Sequence, residues 1–150
     1  MPIEPIQVFT VGFTKKTAGE FFEKLRASGT KRVVDVRLNK GSQLAGFCKQ
    51  NDLKYFLKEI LDVEYVEAPL LAPTKPMLDA YKKSKGGWDA YEHDFLRLMA
   101  ERKIEDKIDP SLLAGGCLLC SEETPHHCHR RLVLDYLQKR WGNLHIHHIV

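Results

Sequence analysis

The run Gly116–Cys120, GCLLC, has no polar side chain at any position, and no other stretch constrains the fold more. A strand with one wet face alternates apolar and polar residues. A strand that is apolar throughout is buried on both faces, as inside a parallel sheet covered on both sides. Residues 6–11, 33–37, 63–66 and 144–150 read as further strands. Between them lie helical patterns: Thr14 or Thr17 caps a helix that buries Phe21, Phe22 and Leu25 and closes at Gly29. Residues 51–61 place Leu53, Phe56, Leu57 and Ile60 on one face. A short helix is expected around residues 77–81, a longer one over 88–101 burying Tyr91, Phe95, Leu98 and Met99, and another over 125–140. Strands alternating with helices predict an α/β fold, a three-layer α/β/α sandwich with a mostly parallel central sheet.

The 150 residues suit a single domain spanning 1–150. No repeat or linker interrupts them, and 43% hydrophobic with 29% charged residues is ordinary for a globular chain. A net charge of +3 permits an anionic partner without requiring one. No apolar run is long enough for a membrane span, and the opening MPIEPIQVFT is not a signal peptide. Four cysteines without such a signal predict reduced thiols in the cytoplasm.

Ligands of parallel α/β sheets bind beyond the carboxyl ends of the strands. One such end is the junction CLLCSEETPHHCHRRL, which crowds Cys117, Cys120, Glu122, His126, Cys128, His129, Arg130 and Arg131 together. Residues three apart on a strand face opposite ways, so Cys117 and Cys120 diverge. Thr124 and Pro125 suit a helix start, which would put Cys128, His129 and Arg130 in the first two turns. Basic residues there suggest an anion, or Glu122, as charge partner. The helix dipole favours thiolate, so Cys120 or Cys128 is a candidate nucleophile and Glu122 with His129 a candidate proton-exchanging pair. The Cys-x5-Arg loop of phosphatase and rhodanese type is missing, and the alternative for Cys128 is a small buried residue. The cysteine spacing matches no standard zinc finger or ribbon, so no metal is assigned.

VVDVRLNKGSQ supplies the other wall. Asp35 lies inside an apolar strand and needs a base; Arg37 on the same face, or a helix lysine, is its candidate partner, or else Asp35 faces the site. Arg37 and Ser42, beside Asn39 and Lys40, are the candidate anion-binding residues together with Arg130. Neither a Walker loop nor GxGxxG is present. Tyr55 and Tyr91 are read as core, KKSKGGW as a solvated lysine loop, and His145 and His147 as the wet face of an edge strand.

These features together resemble the DUF488 family, whose members have no assigned function. The likeness rests on VFTVGF, on DVR with a serine after it, on LLCSEETPHHCHRRLV, and on a last strand containing His-Ile. Its most specific part is Cys120, Glu122, Cys128, His129 and Arg130, and it points also to Arg37 and Ser42. LLAPTKP departs from the Leu-Gly-Gly of relatives. The resemblance implies a compact α/β domain and leaves reaction and cofactor open. The leading expectation is a small cytoplasmic enzyme acting on a phosphorylated, nucleotide or nucleic-acid-derived anion. The alternatives are a non-catalytic nucleic-acid binding module and a structural metal-binding domain.

Overall fold

The computed structural model describes residues 5–38, 49–83, 87–120 and 128–150. Five strands, β1 (Ile6–Gly12), β2 (Arg32–Asp35), β3 (Glu64–Glu67), β4 (Gly116–Cys120) and β5 (Leu144–Ile149), form one sheet in the order β3-β2-β4-β1-β5. Every pairing is parallel. All five strand positions of β4 are buried, and β4 is central, with β1 and β2 on its two sides. The expected α/β sandwich with a parallel sheet is the fold observed.

Two apolar clusters cover the two faces. One gathers Phe21, Phe22 and Leu25 of α1 (Ala18–Ser28) with Leu53 of α2 (Gln50–Phe56), and with Val11, Val33, Cys117 and Leu119 of the sheet. The other packs α4 (Trp88–Arg102) and α7 (His129–Trp141) over Val8, Val34, Leu118 and Cys120. Between these helices in sequence lie α3 (Lys75–Lys83), α5 (Ile104–Lys107) and α6 (Pro110–Leu113). Thr17 caps α1, its Oγ1 accepting from the Glu20 N–H at 3.1 Å, and Gly29 closes the helix at φ 74°.

Three expectations need correction. The helix of residues 51–61 changes at Leu57 into a π-helical turn, Leu57–Leu61. The wider turn rotates Ile60 off the buried face and leaves it 44% exposed. Tyr55 is likewise on the surface rather than in the core. The last helix is described from His129, with Cys128 extended at its N-cap rather than inside its first turns. The short helices α5 and α6 were not anticipated, although Asp109, whose Oδ1 accepts from the Ser111 N–H, and Pro110 form an ordinary helix start.

Gly116 marks where β4 passes closest to α6. A Cβ there would stand 2.9 Å from the Leu112 carbonyl oxygen and 3.3 Å from that of Leu113, both backbone atoms. Gly116→Ala is therefore expected to destabilise the fold by about 1–3 kcal/mol, read as a lower urea midpoint at unchanged slope. An unchanged midpoint would show that α6 does not hold this close approach.

Candidate functional site

The chain leaves β1 toward β2 through α1 on one face, and leaves β4 toward β5 through α7 on the other. The divergence falls between β1 and β4, whose carboxyl ends lie side by side with Gly12 opposite Cys120. Such a switch point opens a crevice at the sheet edge. Cys120, Cys128, His129 and Arg130 all lie at this edge, because α7 begins where β4 ends.

The Sγ atoms of Cys120 and Cys128 are in bonding contact, 2.50 Å apart, across a Cα separation of 7.5 Å. Reduced, separate thiols were the expectation; the structure brings these two together. Cys117 lies in the opposite cluster, as the alternation of a strand requires, and burial raises its thiol pKa. The His129 Nε2 lies 2.7 Å from the Val36 carbonyl oxygen. A carbonyl only accepts, so Nε2 carries the hydrogen and Nδ1 keeps its lone pair. That Nδ1 stands 3.9 Å from Cys120 Sγ. Burial lowers the His129 pKa to about 4, with the Arg130 charge acting in the same direction, so the ring is neutral at neutral pH. The side chain of Arg130 is fully buried, and its Nη1 donates to Cys128 Sγ at 3.7 Å.

Arg37 has gone to its structural partner. Asp35 Oδ1 accepts from the Arg37 Nε at 2.9 Å and from its backbone N–H at 3.0 Å, while Oδ2 accepts from Nη2 at 2.8 Å. Tyr65 donates its hydroxyl to the same carboxylate at 2.5 Å, and burial, then this bond, raises the phenol pKa. Asp35 shares its face with Val33, the face opposite Cys120, while the next residue, Val36, anchors His129 through its carbonyl. Ser42, Asn39, Lys40, Glu122, Thr124, Pro125 and His126 lie outside the described residues, and with them the expected contact of Glu122 with Arg130 or His129.

Sequence reasoning missed Thr10 and His148. Thr10 is fully buried in β1 and bonds its Oγ1 to His148 Nδ1 at 2.6 Å. Partial burial, then the positive charge of Arg130, lowers the pKa of His148, which places it in the field of the site. The signal was the parity of β1, where Thr10 shares a face with Gly12.

A family model for a domain of unknown function, DUF488, matches residues 17–137. The chain belongs to the DUF488 family. The match spans α1 to α7 and includes every candidate site residue, while β1 and β5 lie outside it. Neither a curated protein nor a solved structure matches the chain. Among the described residues of this DUF488 chain, no helix is long and apolar enough to cross a membrane. A groove of about 590 Å³ between α4 and α7, lined by Leu96, Leu132, Tyr136 and Arg140, contains none of the candidate site residues.

Proposed function

We propose that this DUF488 protein is a small enzyme acting on an anionic substrate, phosphorylated, nucleotide or nucleic-acid-derived, at the carboxyl ends of β1 and β4. The gathering of Cys120, Cys128, His129 and Arg130 at the start of α7 carries this reading. The first amides of α7 and the Arg130 guanidinium supply positive potential for an anion. In the reduced pair, a neutral His129 with its Nδ1 lone pair toward Cys120 is placed to accept that thiol's proton, and the Arg130 Nη1–H favours thiolate at Cys128. Glu122 is the second proton-exchanging group in this reading, with Ser42 and Arg37 as further anion-binding groups.

The test is thermal stabilisation by inorganic phosphate and by a mononucleotide. A ligand present at a hundredfold its Kd stabilises by about 2.7 kcal/mol, roughly 5–11 °C at this chain length. Arg130→Met should abolish the rise measured from its own baseline, while Arg97→Met, on the exposed side of α4, should keep it. Equal rises in wild type and Arg130→Met would sink the anion site. Binding of an oligonucleotide that falls steeply with salt and survives substitution of Glu122 and His129 would instead support a non-catalytic nucleic-acid module.

A further inference from the structure

We propose that Cys120, Cys128 and His129, with both thiols reduced, form a binding site for a thiophilic divalent cation of the zinc class. The proposal uses the location given above for the reactive centre but is independent of the substrate. The Sγ atoms of the two cysteines and a ring nitrogen of His129 all lie within 4.8 Å of one another, and all three residues are buried. Two soft sulfurs and an imidazole are a donor set suited to zinc.

The backbone also suits an ion between the sulfurs. The 7.5 Å separation of the two Cα atoms exceeds the roughly 4.4–6.8 Å usual for disulfides. Two thiolates at about 2.3 Å from one tetrahedral ion sit farther apart than bonded sulfurs, so rotation of the two side chains from this backbone opens the space.

His129 adds an independent observation. A metal-binding imidazole turns its other nitrogen to a carbonyl or carboxylate, which sets its tautomer and aim. Here Nε2–H donates to the Val36 carbonyl at 2.7 Å, leaving Nδ1 as the donor on the side of Cys120. The Arg130 Nη1–H bond to Cys128 Sγ is the matching outer contact for a thiolate. The donors come from a strand end and a helix start, both held by the sheet. Cys117, which made the CxxC pattern, faces away; the ligand set is Cys120-x7-Cys128-His129.

Binding is balanced without an oxidant. One Zn2+ displaces the two thiol protons, and the resulting neutral dithiolate complex sits beside the Arg130 cation. The oxidised pair has no thiolates to offer, so disulfide and metal exclude each other. Three donors leave the fourth tetrahedral position for water or the proposed anion.

The test uses the full chain, metal-free and reduced with a phosphine, with its thiols counted before titration with Co2+. Expected is one Co2+ per chain, with sulfur-to-metal charge-transfer absorption and tetrahedral d–d bands, displaced by one equivalent of Zn2+. Cys120→Ser and Cys128→Ser should abolish the bands, and His129→Asn should weaken binding at least tenfold, while Cys117→Ser, checked for fold by circular dichroism, should retain them. Absence of the bands in protein with its thiols shown reduced would overturn the proposal, as would bands that survive Cys120→Ser. Phosphate binding by the metal-free protein is measured separately, so the anion reading and the metal site can fail independently.

Discussion

Asp35→Ala is expected to lower unfolding stability by about 3–5 kcal/mol, a large part of what holds a domain of this size together. The carboxylate is fully buried and receives two bonds from the Arg37 side chain, one from the Arg37 backbone and one from Tyr65. Removing it takes the carboxylate away from a guanidinium that is only 4% exposed. The pair need not stabilise relative to an apolar pair, because two charges were desolvated to make it. Asp35→Val/Arg37→Met should therefore lose clearly less than the sum of the single replacements in urea melts, a positive coupling in the double-mutant cycle. Additive losses would show that the two side chains do not depend on each other.

Phe95→Ala is expected to cost about 3–5 kcal/mol and to disturb the site as well. Phe95 is fully buried on α4, at the end of a series of rings that runs from Trp88 through Tyr91. Its own ring lies 5.6 Å from that of His129, tilted by 52°. Truncation opens a cavity under α7 beside the imidazole, whereas Phe95→Leu retains most of the volume and should cost less than about 1.5 kcal/mol. Chemical denaturation gives the energies, and the His129 ring resonances report whether the Nε2–H bond to Val36 survives. A loss below about 1 kcal/mol for the alanine variant would mean that Phe95 is not the floor of the site.

The sheet was legible because apolar runs such as GCLLC admit few other readings, and α1 because cap, apolar spacing and terminal glycine agree. Ile60 was misread because a single π-helical turn breaks the 3.6-residue period on which the face assignment depends, and Tyr55 because two steps of about 100° carry it away from the face of Leu53. The junction could be recognised as a candidate site from its composition. What spacing could not supply was the pairing within it. Cys120 meets Cys128 only because the end of β4 and the start of α7 come together, a tertiary fact. The partnership of Asp35 with Arg37 was one of several readings, and strand parity alone allowed each. Thr10 and His148 escaped notice because their contact joins residues 138 positions apart through the β1–β5 pairing.

The most direct test of the site's place and chemistry is a phosphate titration of the reduced, metal-free protein followed by amide chemical shifts. Saturable shifts should be largest at Gly12 and Phe13 after β1, and at Cys128, His129 and Arg130 at the start of α7. Shifts confined to Leu96, Ala100, Tyr136 and Lys139 in the groove between α4 and α7, or no saturable shift at all, would contradict an anion site at the carboxyl end of the sheet.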